Sequence, residues 1–271
     1  MKLYQIDAFV GLELKGNPAA VCPLNQWIDE QIMQDIAEEN NLSETAFFVP
    51  QNDGTFAIRW FTPAAEVNLC GHATMAAAYV IFNELGYQKD VINFSSKSGK
   101  LIAKKIADKI EIDLPQAEFE EIPYDQNLEK ALGKSYSALY RAGEDYLVIF
   151  ADENDVINLT PNFNLLKTFK VRGVVISASV SDIAKDVAKD IAKDIDFISR
   201  AFFPRLNVDE DPVTGSAHTH LVPYWSKKLS KNILHAKQVS PRGGELFCKL
   251  EKNRVLLAGK CNLYLRGDIF I

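Results

Sequence analysis

The chain has 271 residues, 47% of them hydrophobic and 24% charged, with a net charge of −6. That balance can bury a full core, and without a Lys/Arg run interleaved with aromatics it excludes nucleic acid as the main partner. The length fits one large domain or two of about 130 residues each.

Gln5 and Asp7 interrupt the stretch where a secretory signal would carry its apolar core, and no apolar run approaches a membrane span. Cys22, Cys70, Cys248 and Cys261 form no CxxC pair. The expectation is a cytoplasmic protein with reduced thiols and no membrane partner.

Leu3–Val10 alternates like a strand, Gly16-Asn17-Pro18 makes a turn, and Ala19–Cys22 is a short apolar strand. Asp29–Asn40 reads as a helix with Ile28, Ile32, Met33, Ile36 and Ala37 on one face. Glu44 then stands just ahead of a β-prone run, Thr45–Val49. Its carboxylate is either a solvated end-of-helix group or one held at a cleft by the strand behind it. Phe56–Pro63 is a further strand, closed by proline.

It delivers the chain to the stretch around which the rest is organised. Asn68-Leu69-Cys70-Gly71-His72-Ala73-Thr74-Met75 runs from a polar turn into an alanine-rich segment, predicting a buried helix. Such a junction leaves backbone N–H groups without intrahelical partners and sits at the positive end of the helix dipole, so it suits a carboxylate. Val91–Phe94, Leu101–Lys105 and Lys109–Leu114 read as strands, and Gln116–Asp125 as an acidic linker. Leu128–Leu132 and Leu165–Phe169 read as helices, with Tyr136–Arg141, Asp145–Phe150 and Gly173–Ser177 as strands. Ser181–Asp196 repeats Ile or Val every four residues between Lys-Asp pairs, which reads as a peripheral helix or a mobile excursion with solvated Lys-Asp runs and no chemistry.

Phe197–Pro204 returns to strand and leads to Asp209-Glu210-Asp211-Pro212-Val213-Thr214-Gly215-Ser216. Capping of the next helix accounts for Asp209 and Glu210. Asp211 lies closer to the turn. Shifting Glu66–Leu85 by 144 positions places it on Glu210–Leu229, with Gly71 on Gly215 and Ala73 on Ala217. Cys70-Gly71-His72 is then answered by Thr214-Gly215-Ser216. The reading is two related lobes, each presenting a helix start to a shared cleft. The boundaries are 1–115 for the first lobe, 116–125 for the linker and 126–260 for the second lobe, with a strand at about 261–271 crossing back. Gln238–Gly243 reads as a loop before strands at Glu245–Leu250, Arg254–Lys260 and Cys261–Phe270. The fold class is mixed α+β.

His72, on the first helical turn, could donate to a substrate oxygen. His218 and His220 lie two apart on a helix and share no face, so no metal site is expected there. Cys70 at a helix start would have its thiolate favoured, but a two-thiol racemase needs a second thiol where Thr214 stands.

Gly16-Asn17-Pro18-Ala19-Ala20-Val21, Leu42-Ser43-Glu44-Thr45-Ala46-Phe47, Arg59-Trp60-Phe61-Thr62-Pro63, Cys70-Gly71-His72-Ala73-Thr74 and Glu210–Ala217 occur in this order. Together they resemble the PhzF-like phenazine biosynthesis family, itself similar to diaminopimelate epimerase and proline racemase. The resemblance implies two lobes, each a β-sheet curled around a central helix, with the active site between them. It also implies a homodimeric, cofactor-independent, metal-free isomerase that moves a proton between carbons, as in the isomerisation of a dihydro-hydroxyanthranilate. Glu44 matches the family's catalytic carboxylate, and His72, Asp211 and Ser216 match its supporting polar residues.

The expected function is proton transfer on a small carboxylated metabolite, with Glu44, His72 and Asp211 catalytic. Cys70, Gly71, His72, Ala73, Thr214, Gly215, Ser216 and Ala217 are expected to bind the substrate. The alternatives are an amino- or hydroxy-acid epimerase using Cys70 with Glu44, and a silent metabolite-binding protein.

Overall fold

The computed structural model describes residues 1–11, 15–180 and 194–271. The chain divides into two compact units, Met1–Leu114 with Leu256–Ile271, and Pro115–Val255. No helix among the described residues is long and apolar enough to cross a membrane.

The first unit is built on β1 (Lys2–Val10), β2 (Asn17–Pro23), β3 (Glu44–Pro50), β4 (Phe56–Phe61), β5 (Glu66–Val67), β6 (Val91–Ser96), β7 (Gly99–Ile106) and β8 (Lys109–Pro115). The last strand of the chain, β17 (Arg254–Asp268), completes it. β1 pairs with β2 and β17, and β2 runs parallel to β3. β3 pairs with β4, which lies parallel to β6, and β6, β7 and β8 form a meander back to β17. The circuit closes into a β-barrel, so none of the strands in the circuit is left as a free edge. β7 and β8 alternate buried and exposed positions, as barrel strands with one wet face must.

A helix is enclosed by that barrel. α2 (Gly71–Tyr79) is buried at every position from Gly71 to Ala78 and packs on β1, β2, β3 and β7. Alanines at 73, 76, 77 and 78 give it the thin, all-round apolar surface such a space demands. It runs on through a π-helical turn, Val80–Glu84. Outside the barrel, α1 (Glu30–Asn40) lays Met33, Ile36 and Ala37 against Ala20, Cys22, Phe47 and Phe61. Ile32, assigned to that face from periodicity, is 40% exposed.

The second unit carries α3 (Gln126–Leu132), α4 (Glu153–Ile157), α5 (Phe163–Leu166) and α6 (Gly215–Leu229). Its strands are β9 (Glu120–Ile122), β10 (Ala138–Ala142), β11 (Asp145–Ile149), β12 (Val174–Ser179), β13 (Phe197–Phe203), β14 (Val208–Asp211), β15 (Ile233–Gln238) and β16 (Gly244–Glu251). They pair in the order β9-β10-β11-β12-β13-β15-β16, with β14 also on β13. α3, α4 and α5 share one apolar core with β12 and β13. From α6, Trp225 stacks on Phe197 and donates its indole N–H to Ser177 Oγ at 2.9 Å. β12 and β13 are covered on both faces, which explains their unbroken apolar character.

Several expectations are corrected. The 116–125 stretch is more than a linker, because Glu120–Ile122 pairs with β10 and Phe119 packs on Tyr140 and Tyr224. Arg254–Asp268 is one continuous strand, leaving the second unit and entering the first at Leu256. Gln238 ends a strand and does not begin a loop. α5 starts before Leu165, and α4 has no counterpart in the sequence reading. The repeat at 181–193 lies outside the described residues, while Ile195 is buried in the second core.

His218 and His220 on α6 are buried, and burial lowers their pKa values to about 4 and about 3. Unfolded imidazoles bind protons near 6.5, so stability is lost as pH falls from there toward the folded values. Each tenfold loss of proton affinity is worth about 1.4 kcal/mol. The urea midpoint is expected to fall steadily between about pH 6.5 and about pH 4, and His220→Leu should flatten that slope. An unchanged slope in the variant contradicts this.

Candidate active site

In the first unit, three element starts converge. Gly16 (φ +87°) opens β2, and a Cβ there would stand 2.3 Å from the Ala8 carbonyl oxygen, so only glycine fits. The next residue, Asn17, is fully buried. α1 ends at Asn41 in the left-handed region, with its N–H bonded to the carbonyls of Ala37 and Glu38. The chain then turns through Ser43 into Glu44, first residue of β3 and register partner of Ala19 on β2. Cys70 precedes α2 in extended conformation, and its side chain makes no cap hydrogen bond.

These elements bring Glu44, Cys70 and His72 together. His72 Nε2 lies 3.1 Å from Glu44 Oε2. On the ring's other side, Nδ1 is 3.4 Å from Asn17 Nδ2 and 3.5 Å from Cys70 Sγ. Ser43 Oγ donates to Asn17 Oδ1 at 3.3 Å. Asn17 is the part of this group the sequence reading did not assign, although its place in the Gly16-Asn17-Pro18 block marked it. The Glu44 side chain is 18% exposed, yet its Oε2 is buried and has no aligned hydrogen-bond partner.

Burial of the Cys70 thiol, reinforced by the Glu44 charge, pushes its pKa up to about 11. The thiol is therefore neutral near pH 7, against the expectation of a thiolate favoured by the helix dipole. For His72, burial opposes the imidazolium, but its contacts with Cys70 Sγ and Glu44 outweigh burial and raise the ring well above its ordinary pKa. The resulting pair is an imidazolium facing a carboxylate.

In the second unit, α6 begins in the same manner. Thr214 is its extended N-cap residue and makes no side-chain cap bond. Instead its hydroxyl donates to Asp211 Oδ2 at 2.5 Å. Gln238 locks the turn: its Oε1 accepts from Thr214 N–H at 2.9 Å, and its Nε2 donates to the Asp211 carbonyl at 2.8 Å. Arg172, held by buried Asp145 at 2.9 and 2.5 Å, lies 3.4 Å from Ser216 Oγ. Gln238, Arg172 and Asp145 were not foreseen, since their chain positions are remote from the turn. His218 Nδ1–H donates to the Thr214 carbonyl, 2.8 Å away.

The acids ahead of α6 lie in β14 and do not cap the helix as expected. Glu210 forms a two-pronged ion pair with Arg200 at 2.7 and 2.9 Å. Glu66, its counterpart in the internal repeat, makes the same pair with Arg59 at 2.8 and 2.7 Å. In both units an arginine on the incoming strand and a glutamate on the return strand brace the turn that leads to the helix.

The family model for phenazine biosynthesis-like proteins, PhzC-PhzF, matches residues 6–267. The chain belongs to this family. An uncharacterized isomerase of Pseudomonas aeruginosa is 42% identical over 271 residues, covering 100% of this chain and 99% of that protein. A crystal structure of a PhzF-family protein from Enterococcus faecalis superposes with a TM-score of 0.91 at 42% identity, covering 100% and 99% of the two chains. A probable proline racemase from Agrobacterium radiobacter shares the fold alone, with a TM-score of 0.62 at 9% identity over 100% and 93%. The PhzF-like chain is an isomerase, its barrel-containing, sheet-rich α+β fold common to that family and to the racemases.

Because folding raises the His72 pKa, this ring contributes its stability in full below about pH 6.5 and loses it as pH rises through the folded value. In ¹⁵N spectra of histidine-labelled protein at pH 7, the ring missing from His72→Gln is expected to carry both protons. A singly protonated ring contradicts the pairing.

Proposed function

We propose that this isomerase moves a proton between carbons of a small carboxylated metabolite, with Glu44 as the single acid and base. The observation that carries the reading is the Glu44 oxygen itself: buried, beside a cationic ring, and without an aligned partner. A buried carboxylate oxygen with an unsatisfied lone pair takes a proton from an activated C–H and returns it to a neighbouring carbon of the same face. His72 holds the developing negative charge, together with the first-turn N–H groups of α2. The proton balance closes on one residue, so no cofactor enters.

In the same proposal Cys70, Gly71, His72 and Ala73 contact the substrate, and Thr214, Gly215, Ser216 and Ala217 are proposed as binding residues at the start of α6. Asp211, which accepts the Thr214 hydroxyl proton, orients that turn. The two-lobed arrangement inferred from the repeat, assembly as a homodimer and a cytoplasmic location belong to this reading. Epimerisation through Cys70 is the less favoured alternative, because a neutral, buried thiol is a poor base.

A panel of unsaturated, amino and hydroxy carboxylic acids incubated in deuterated water identifies the exchanging substrate. With it, Glu44→Gln is expected to lose about 100-fold or more in exchange rate while binding changes little. Cys70→Ser should lose far less. Wild-type exchange in Glu44→Gln would end the mechanism, and a loss in Cys70→Ser as large as that in Glu44→Gln would favour the epimerase.

A further inference from the structure

We propose that Glu44, Cys70 and His72 form a binding site for a thiophilic divalent cation, zinc being the biological example, and that its occupancy switches the enzyme off. The inhibitory half of this rests on the proton-transfer reading above; the binding half does not.

One ligand atom from each of the three residues falls within 4.8 Å of the others, and no other such group occurs among the described residues. Tetrahedral zinc, with bonds of about 2.0 Å to nitrogen and oxygen and about 2.3 Å to sulfur, places its ligand atoms about 3.5 Å apart. Glu44 Oε2 and His72 Nε2 are already 3.1 Å apart. Cys70 Sγ, now 3.5 Å from His72 Nδ1, has to swing toward the Nε2 side to complete the set.

Two of the three atoms are unsatisfied. Glu44 Oε2 and His72 Nε2 are both buried and lack an aligned hydrogen bond. A cation between them would convert a poorly aligned contact into two coordinate bonds. The donor set of one sulfur, one nitrogen and one oxygen rejects magnesium and calcium, which require oxygen ligands, and suits zinc or cadmium. Three protein ligands leave a fourth position open.

The surroundings are those of a supported ligand. Asn17, itself contacted by Ser43, packs its amide 3.4 Å from His72 Nδ1 and limits the ring's rotation, leaving Nε2 on the Glu44 side. Coordination is to the thiolate and the neutral imidazole, so the thiol and ring protons leave to the buffer as the metal enters. The metal then occupies the lone pair that would accept the substrate proton.

Cadmium chloride titrated into the full chain provides the test, read by thiolate-to-cadmium charge-transfer absorption in the ultraviolet. One equivalent is expected to saturate the band. The band should vanish in Cys70→Ser, persist in Cys261→Ser, and require at least tenfold more metal in His72→Gln. Circular dichroism melts check that each variant is folded. Zinc should abolish solvent exchange into the substrate, and a chelator should restore it. No band at one equivalent, or a band retained in folded Cys70→Ser, overturns the site. If cadmium binds as described but no carbon acid exchanges, the site stands and the proton-transfer reading fails. If exchange proceeds undisturbed by zinc at saturating occupancy, the inhibitory role is overturned and the binding site alone remains.

Discussion

A carboxylate and an imidazole held 3.1 Å apart at the start of an enclosed helix set the terms for the first unit. A charge pair in that setting survives only where its surroundings over-determine it. The barrel does so by topology. β2 and β3 run parallel, so Asn17 and Glu44 open adjacent strands at the same end. α2, with its alanine surface, threads the barrel and presents His72 to both. Loosening any of the three starts would leave a buried polar group without its neighbours.

The internal repeat gains a physical meaning from the ion pairs. Glu66 and Glu210 are identical because each closes a two-pronged bridge to an arginine on the preceding strand. Arg59 lowers the Glu66 pKa, with Lys97 contributing a second contact. Arg200 also donates to the carbonyls of Val156 and Leu159, tying its turn to the end of α4 and the loop that follows. Past the brace, the two turns hold different chemistry. Cys70 and His72 cluster with Glu44, whereas Thr214 is absorbed into a network with Asp211 and Gln238. The two stretches share this brace and differ at the helix start, with the proton-moving group proposed only in the first.

Much of this was legible from residue order. Strands of the first unit follow alternation, α1 follows its Asp29 cap and 3.6 period, and the Gly16-Asn17-Pro18 turn follows glycine geometry. Ile32 misled because a helix lying on a barrel buries a narrower stripe than periodicity assigns. The acids at 209–211 resembled caps because their partner, Arg200, sits on a strand ten positions earlier than Glu210. Gln238 and Arg172 could not be connected to the Thr214 turn, because pairing β13 with β15 and β11 with β12 is what carries them there. The Cys70 thiol was misjudged for a related reason. The helix dipole was visible in the sequence, but the burial that outweighs it was not.

The central claim is that one carboxylate both removes and returns the proton, and the stereochemical course of a single turnover tests it most directly. With substrate carrying deuterium at the donor carbon, the account predicts delivery to the same face, with part of the label retained in the product. Delivery to the opposite face with none of the label retained would require two groups on two sides, and would contradict it.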